Sequence, residues 1–414
     1  MSPAKKSVCS TLLVVFSLQI ANAQEVPCGS VENLVDALAC VRANEPAFRN
    51  AMDGAREAAE LENSAYRLIN PELSLDYVSG NSLGDVQREA NASLLFTLEL
   101  GGKRSARARS LGAEGLLLRA DAFDQRITTL SELGGAILRL HQLQSEKAVL
   151  EEALSTFNKI IRLYRSRSQL PPEQKVSLNA FELITLDYSR RILEADAELV
   201  QVRNRTAQLF GPETQGEPLD IREFAFDLNV ASRSLEDWIE KTPEMLRLRA
   251  EQGKAEGDLA LARSEMWPDV KVGPSIKQVT NGPFSYNMAG LAVSFPIPIL
   301  SWNGALRTSR ETTEKRVQAK VRWEAQDIRS QYTAKLAQLD RILKLLKESP
   351  KESDIQKKHQ GTESLFGRGL VSGALIIETH RSLVDYYQTK HSLERQFLED
   401  ALKIQALTNS GGKS

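Results

Sequence analysis

Long stretches of helical hydrophobic spacing, separated by shorter alternating segments, dominate the pattern along this chain. From Arg104 to about Tyr164 no proline occurs, and apolar residues recur at steps of three and four. This spacing averages the 3.5 residues of coiled coils and predicts one helix about 90 Å long. Further helices are predicted at about 47–68, 173–210 and 374–407, and another begins near Ala305 and is interrupted or bent at Pro350.

The spacing changes to strict alternation in four segments, at about 71–79, 89–100, 268–278 and 286–298. In the first pair, one face is apolar and the other carries acids and polar side chains, with Leu95 as the exception. Such strands exceed the usual length in soluble proteins and match the length that crosses a bilayer at a tilt. Outside a membrane the apolar row would instead form a core. We assign the following residues to the lipid side: Leu73, Leu75, Leu94, Phe96, Leu98, Leu291, Val293 and Phe295.

The chain contains an internal duplication with a period near 200 residues. Pro46 is followed 25 residues later by Pro71, and Pro243 is followed 25 residues later by Pro268. Two strands and a set of long helices follow each second proline, so each copy is a structural half rather than a solenoid repeat. The predicted division is a first repeat at 24–210, a linker at 211–227, a second repeat at 228–410 and a flexible tail at 411–414.

The first 23 residues are predicted to be a secretory signal peptide. A positively charged start precedes a short apolar stretch, and Ala21-Asn22-Ala23 fits the small-residue rule for cleavage. No later segment reaches the roughly 18 apolar residues of a membrane-spanning helix. Cys28 and Cys40 remain in the mature chain, where an oxidising compartment favours a disulfide between them.

Charge and residue chemistry exclude several classes of function. With 53 basic and 54 acidic residues, the chain has no global field that would recruit nucleic acid. It shows no nucleophile–base arrangement, phosphate-binding glycine loop or cofactor fingerprint, so neither an enzyme nor a cofactor-binding protein is predicted. The histidines show no paired metal spacing, so they are predicted to be solvated on helix faces and no metal site is expected: His141, His359, His380 and His391.

The predicted strands cannot form a closed sheet within one chain. Four strands are too few, because the smallest membrane barrels need eight, and open sheet edges are not tolerated in hydrocarbon. The sheet must therefore be completed by other copies of the chain. Three copies would supply twelve strands around a passage, whereas two copies would supply eight around an interior filled by side chains. A different hypothesis is a periplasmic coiled-coil scaffold whose strands pair with a partner protein.

Five features of the sequence carry a family resemblance when taken together. They are the start Leu34-x-x-Ala37-Leu38 followed by Asn44-Glu45-Pro46, the paired proline-led strands, the run Leu98-Glu99-Leu100-Gly101-Gly102-Lys103-Arg104, its counterpart Pro296-Ile297-Pro298-Ile299-Leu300 with Asn303-Gly304, and the helix-turn-helix at Phe366-Gly367-Arg368-Gly369-Leu370-Val371-Ser372. In this order they resemble the TolC-type outer-membrane efflux protein family over essentially the whole mature chain. The Glu-Leu-Gly-Gly-Lys-Arg run resembles in particular the heavy-metal branch of resistance-nodulation-division systems.

The resemblance implies a mainly α fold with a small β part, assembled as a homotrimer in the outer membrane of a Gram-negative bacterium. Each chain would give four strands to a twelve-stranded transmembrane β-barrel, and its duplicated long α-hairpins would form an α-barrel through the periplasm. The protein would be the passive export duct of a tripartite efflux or secretion system. Its partners would be a periplasmic adaptor protein, an inner-membrane pump and outer-membrane lipid.

The resemblance also assigns roles to the tips of the two helical hairpins, where the adaptor protein would dock. Gly369, Leu370, Val371 and Ser372 form the second tip, and Ser168, Gln169, Leu170 and Pro171 form the first. The first tip departs from the family pattern, since it lacks the glycine and carries two consecutive prolines. Glu378 and Arg368 are candidates for a lumen gate, with Glu378 forming an acidic ring that favours cations. For both residues the alternative is an ordinary solvated surface position.

Overall fold

The computed structural model describes residues 46–82, 85–210, 228–297 and 303–409. The predicted signal peptide, the Cys28–Cys40 pair, the linker at 211–227 and the tail at 411–414 lie outside these residues. Among the described helices, none combines the length and apolar character that a bilayer crossing requires.

The order helix, strand, strand and long helices occurs twice along the described chain. The helices are α1 Pro46–Ala65, α2 Lys103–Arg165, α3 Pro172–Phe210, α4 Leu228–Arg233, α5 Leu235–Ile239, α6 Pro243–Ser264, α7 Gly304–Glu348, α8 Glu352–Gly367 and α9 Gly373–Asn409. The strands are β1 Glu72–Ser82, β2 Asp85–Leu98, β3 Val270–Asn281 and β4 Phe284–Ser294. This order fits the predicted duplication, while the exact limits of the two repeats stay a prediction.

The paired prolines occupy equivalent positions in the two halves. Pro46 is the first residue of α1, and Pro243 is the first residue of α6. Proline suits the first turn of a helix because the N–H that it lacks would have no helical partner there. Pro71 and Pro268 lie just ahead of β1 and β3. Each pair of prolines therefore brackets one helix and the strand that follows it.

The long helices follow the hydrophobic spacing closely. With 63 residues, α2 is about 95 Å long and begins and ends within one residue of the predicted positions. The other long helix is interrupted as expected at Pro350, since α7 ends at Glu348 and α8 begins at Glu352. A proline disfavours helical backbone at the residue before it and cannot donate to the preceding turn, so it separates the two helices.

Both β-hairpins extend further towards their turns than the alternation predicts. Ser82 pairs with Asp85, and Asn281 pairs with Phe284, so the ladders continue through polar residues that resemble turn sequences. At its other end β4 stops at Ser294, before the predicted limit near 298. Pro296 explains this early end, because it has no N–H to donate to a ladder.

The hydrophobic core runs along the helices as separate clusters. Leu339 and Phe397 are fully buried in one cluster, which joins α7 and α9 to α2, α4 and α5. A second cluster joins α2, α3 and α9 around the buried rings of Phe157, Phe181 and Tyr188. We call this second group the distal aromatic cluster. Both α2 and α9 contribute to the two clusters, so these two helices connect the two parts of the core.

Small residues allow the helices nearest the sheet to pack closely. A Cβ atom on Gly115 of α2 would lie 3.1 Å from the carbonyl oxygen of Ala58 in α1. A Cβ atom on Gly257 of α6 would lie 2.7 Å from the backbone nitrogen of Ser110 in α2. Larger side chains would push these helices apart, so the glycines determine how tightly α1 and α6 flank α2.

Candidate functional site

The four strands form one open antiparallel sheet in the order β1-β2-β3-β4. The central pair, β2 and β3, comes from different halves of the chain. Within the described residues β1 and β4 each have a strand neighbour on one side only. Among the described residues the sheet is therefore open at both edges, as predicted from the number of strands.

The strand register places the predicted lipid-side residues of the strands on one face. Leu73 lies opposite Leu94, and Val272 lies between Phe96 and Val293 in neighbouring strands. Paired residues in an antiparallel sheet project to the same side, so these rows form one apolar surface. On the single chain, between 38% and 79% of each side chain in the predicted set is exposed: Leu73, Leu75, Leu94, Phe96, Leu98, Leu291, Val293 and Phe295.

The opposite face of the sheet is polar near its centre, although the second hairpin also places apolar and aromatic side chains there, such as Tyr286 of β4. Lys277 of β3 forms an ion pair with Glu89 of β2, and Asn91 donates a hydrogen bond to Asp76 of β1 across 3.3 Å. Leu95 interrupts the alternation on this face and is buried. The centre of the sheet thus has an apolar surface on one side and a charged surface on the other.

Left-handed backbone turns join the strands to the long helices. Gly102, with φ 81°, precedes α2, and Asn303, with φ 49°, precedes α7. Gly101 also has a positive φ, and a Cβ atom there would lie 2.7 Å from the Trp267 side chain. Glycine adopts this conformation freely, and asparagine tolerates it better than most residues. The Gly-Gly run and Asn303 therefore perform the same task in the two halves, in agreement with the predicted correspondence.

Ion pairs hold α2 to the sheet at this junction. Lys103 Nζ lies 2.7 Å from Asp269 Oδ1, which stands beside the start of β3. Arg107 donates to both carboxylate oxygens of Glu99, at 2.6 and 3.1 Å. The Glu99 side chain is largely buried, which strengthens this two-pronged interaction relative to an exposed ion pair. The first turn of α2 is thus tied to strands from both halves.

The two hairpin tips lie together at the far end of α2. Leu170 of the first tip and Val371 of the second both pack against the distal aromatic cluster. Gly369 has φ 76° and makes the second reversal, as expected for a glycine in a tight turn. Residues 166–171 make the first reversal without any left-handed residue. The absence of a glycine in the first tip therefore does not prevent its reversal.

The remaining tip residues have simple local roles in the single chain. The Ser372 hydroxyl accepts a 3.4 Å hydrogen bond from the Leu375 N–H at the start of α9. Leu370 is exposed, and so are Ser168, Gln169 and Pro171 of the first tip. These side chains are accessible at the end of the molecule, and their role in docking stays a prediction.

The two gate candidates lie near the second tip. Glu378 is exposed, and its Oε2 lies 3.6 Å from Arg381 Nη1 one turn further along α9. Arg368 ends α8 and donates a 3.2 Å hydrogen bond to Ser364 Oγ. Both side chains contact residues of their own helices here, and a lumen-facing role stays a prediction.

Four polar side chains from α2, α3 and α9 contact one another midway along α2, and none of them was predicted from the sequence. Arg139 donates to Glu198 of α3 through two nitrogens, at 2.7 and 2.8 Å, and to Glu146 at 2.7 Å. His391 of α9 lies 2.7 Å from the same oxygen of Glu146. Burial raises the pKa of Glu146, but hydrogen bonds from His391 and Arg139 outweigh it and hold the pKa below its ordinary value. We call these four residues the polar belt.

Three of the four histidines are buried, so the prediction that all four are solvated was wrong. His359, His380 and His391 are 4%, 1% and 4% exposed, while His141 is half-buried. The buried rings meet partners on other helices, which spacing along one helix does not show. Only an estimate of which helices pack together would have revealed them.

The long paired helices and the open, two-faced sheet form a fold that this chain shares with solved outer-membrane proteins. The chain is similar to the CmeC outer-membrane channel of Campylobacter jejuni, with a TM-score of 0.68 and 11% identity over 92% of this chain and 87% of that one. It is also similar to the open MtrE outer-membrane channel of Neisseria gonorrhoeae, with a TM-score of 0.66 and 16% identity over 90% and 88% of the two chains. For the outer-membrane protein VceC of Vibrio cholerae the TM-score is 0.64, with 15% identity over 90% and 95%.

These structures confirm the expected resemblance to TolC-type outer-membrane proteins at the level of the fold. The mainly α fold class with four strands per chain is likewise confirmed. By sequence, no protein-family model and no curated protein matches the chain.

Proposed function

We propose that this chain is the outer-membrane channel component of a tripartite efflux or secretion system, acting as a passive duct from the periplasm to the exterior. One observation carries the proposal. Within the part of the chain that the structure describes, the sheet has two unpaired edges and an exposed apolar face, and both belong to a fold shared with outer-membrane channels.

The unpaired edges favour assembly with identical copies. In hydrocarbon each unpaired backbone N–H and C=O group is costly, so a spanning sheet must close. The edge strands β1 and β4 both contain 11 residues, so the edge of one copy matches the edge of the next in length. Three copies supply twelve strands, which leave an open passage, whereas eight strands are filled by side chains. We therefore infer a homotrimer around a twelve-stranded barrel.

The helices carry a second surface that favours the same assembly. Large apolar side chains recur along α3 at steps of seven or three residues, the spacing of a coiled-coil seam. On the single chain between 55% and 77% of each side chain is exposed: Val176, Leu183, Leu186, Leu193 and Val200. A neighbouring copy would bury this stripe and continue the helical wall below the sheet.

The scaffold hypothesis explains fewer of these features. A partner protein could cover the sheet edges, but it would leave the apolar face of four long strands without an environment. A lipid bilayer supplies that environment, and the structural neighbours are channels rather than scaffolds. Since those neighbours are not enzymes, we propose no catalytic role.

The positions of the two ends of the molecule suggest which partners each end would contact. The sheet would lie in the outer membrane of a Gram-negative bacterium, and α2 would extend about 95 Å into the periplasm. The exposed tip residues would meet a periplasmic adaptor protein there, and an inner-membrane pump would supply the energy. The heavy-metal branch suggested by the Glu99–Arg104 run remains a proposal about the cargo.

Fractionation of cells that express the full chain tests this function. We expect the protein in the outer-membrane fraction, requiring detergent for extraction, with a mass of three chains before heating and one chain after heating. A freely soluble, monomeric periplasmic protein would contradict the channel.

A further inference from the structure

Three side chains with metal-binding chemistry meet between α8 and α9, behind the second tip. His359 and Glu363 lie one turn apart on α8, and His380 faces them from α9. One ligand atom from each residue lies within 4.8 Å of the others. The two imidazole rings are buried, and Glu363 is partly exposed. Neither the sheet nor the polar belt contributes to this cluster.

The cluster is compact enough for one metal ion to reach all three side chains. His359 Nε2 lies 3.1 Å from His380 Nδ1, and Glu363 Oε1 lies 3.3 Å from His380 Nε2 and 3.9 Å from His359 Nε2. Ligands at about 2.0–2.1 Å from a tetrahedral metal ion are separated by about 3.3 Å. Only one nitrogen of His380 can bind that ion. Nε2 is the candidate because it faces Glu363, whereas Nδ1 contacts His359, so the two rings and the carboxylate would shift by rotation as the ion binds.

Hydrogen bonding alone leaves the cluster incompletely satisfied. The two histidines can share one hydrogen bond, but the buried Nε2 atom of His380 has no hydrogen-bond partner of acceptable geometry. Buried polar atoms without partners are rare in proteins and costly.

Neighbouring residues hold the potential ligands in place. Thr156 of α2 donates a 3.0 Å hydrogen bond to Glu363 Oε1. The Phe157 ring packs edge-on against the His380 ring, with 5.0 Å between the ring centres. Outer contacts of this kind orient ligands and increase metal affinity. Three helices therefore contribute to one site.

We propose that His359, Glu363 and His380 bind one divalent transition-metal ion of the Zn²⁺ type, with water in the fourth position. Two imidazoles and one carboxylate form a ligand set that Zn²⁺ and similar ions favour, whereas Ca²⁺ and Mg²⁺ prefer oxygen ligands alone. The ion would fasten α8 to α9 near the turn at Gly369. This site is independent of the channel function and would stand if that function were wrong.

Metal titration of the purified full-length protein tests the site. Cys28→Ser and Cys40→Ser are introduced first, so that thiols do not compete, and the protein is stripped of metal with a chelator. Co²⁺ is then added, because a tetrahedral Co²⁺ site absorbs visible light, and Zn²⁺ is used to displace it. We expect one Co²⁺ per chain with tetrahedral absorption and complete displacement by Zn²⁺. An absence of saturable binding at micromolar concentrations would overturn the proposal.

Variants separate this site from other ligands and from misfolding. Glu363→Gln keeps the shape and the hydrogen bond from Thr156 but removes the anionic ligand, and His380→Ala removes a nitrogen ligand. We expect each to weaken Zn²⁺ binding by at least about 10- to 100-fold. The matched control His141→Ala, outside the cluster, should bind within about twofold of the parent protein.

Thermal unfolding gives a second readout of the same variants. Ligands that bind only the folded state raise its unfolding temperature. Zn²⁺ should therefore raise the unfolding temperature of the parent protein and of His141→Ala, but not that of Glu363→Gln. Equal increases in all three proteins would show that the ion binds elsewhere.

Discussion

Asn91 of β2 lies directly opposite Lys277 of β3, at the centre of the sheet. The two residues come from different halves of the duplicated chain, so pairing between the halves forms the middle of the sheet. The edges are consequently the first and the last strand, β1 and β4. The duplicated chain therefore has two free sheet edges, one for each neighbouring copy in a ring.

Charging the apolar face of the sheet should block membrane assembly. Phe96→Asp places a carboxylate on the proposed lipid side, at a cost of up to about 2 kcal/mol near the membrane midplane. We expect little of this variant in the heat-sensitive, membrane-extracted oligomer. The control is Thr97→Asp, the next residue on the opposite face, where Lys271 lies opposite it. Normal assembly of Phe96→Asp would show that the faces are assigned wrongly.

A polar side chain in the α3 stripe should weaken the contact between copies without unfolding the chain. Leu186 is 77% exposed on the single chain, so Leu186→Gln removes little packing within it. We expect the detergent-extracted oligomer to dissociate at lower temperature, with unchanged helical circular dichroism. Thr185→Gln, on the neighbouring face of α3, is the matched control. Equal stability of the two oligomers would argue against a helical interface along this stripe.

The polar belt should make the stability of the helical part depend on pH. The pKa of Glu146 is lowered in the folded chain, so its contribution is present above its ordinary pKa and is lost as the pH falls through the lowered value. Glu146→Gln should reduce stability by about 1–3 kcal/mol at pH 7. It should also flatten the decrease in unfolding temperature below about pH 4.5, where Glu146 of the parent protein becomes protonated.

Glu151→Gln provides the control for the polar belt. Glu151 is an exposed residue of the same helix, 3.6 Å from Lys147. Its loss should change stability by less than about 1 kcal/mol, since exposed ion pairs contribute little. If both variants gave the same pH profile, the polar belt would have no special role in the acid response.

The turn at Gly101 should not accept a side chain. In Gly101→Ala the new side chain would have an unfavourable positive φ and would also lie too close to Trp267. In Gly102→Ala only the unfavourable backbone conformation would destabilise the turn. That conformational cost is about 1–2 kcal/mol. We expect Gly101→Ala to lower the yield of assembled protein more than Gly102→Ala does. Adding Trp267→Ala to Gly101→Ala should restore only part of the difference, because the new Cβ atom would still lie 2.8 Å from the Ser264 carbonyl oxygen. Equal yields of Gly101→Ala and Gly102→Ala would mean that the close approach is unimportant.

Some elements followed directly from the sequence because their signals are local. The spacing along 104–164 predicts α2 within one residue at each end, and Pro350 predicts the break after α7. The ends of the hairpins were harder to predict from the sequence, because Gly80 and Asn81 are residue types common in turns although both pair with β2. There the hydrogen bonds of the ladder outweigh the propensity of the individual residues.

The candidate sites depend on contacts between helices that are far apart in the sequence. The spacing of residues along one helix does not reveal such contacts. His359 and His380 are 21 residues apart on two helices, and they meet only because α8 folds back along α9. The polar belt similarly brings Glu146 and His391 together from distant parts of the sequence. The apolar face of the sheet was predictable, because period-two alternation assigns each residue to a side.

The central claim is that β1 of one copy pairs with β4 of the next copy. Within one chain these strands are three strand spacings apart, about 14 Å, which exceeds the reach of a disulfide. In a chain with Cys28→Ser and Cys40→Ser, Leu75→Cys on β1 is combined with a cysteine at each position of β4 in turn. Mild oxidation in the membrane then joins only strands that lie side by side.

The oxidised products are separated by mass after full denaturation. We expect at least one β4 position to give covalent products of two and three chains, with no larger species, and reduction to return all of them to single chains. Single chains at every position along β4, or a covalent series that stops at two chains or continues beyond three, would rule out a closed ring of three copies.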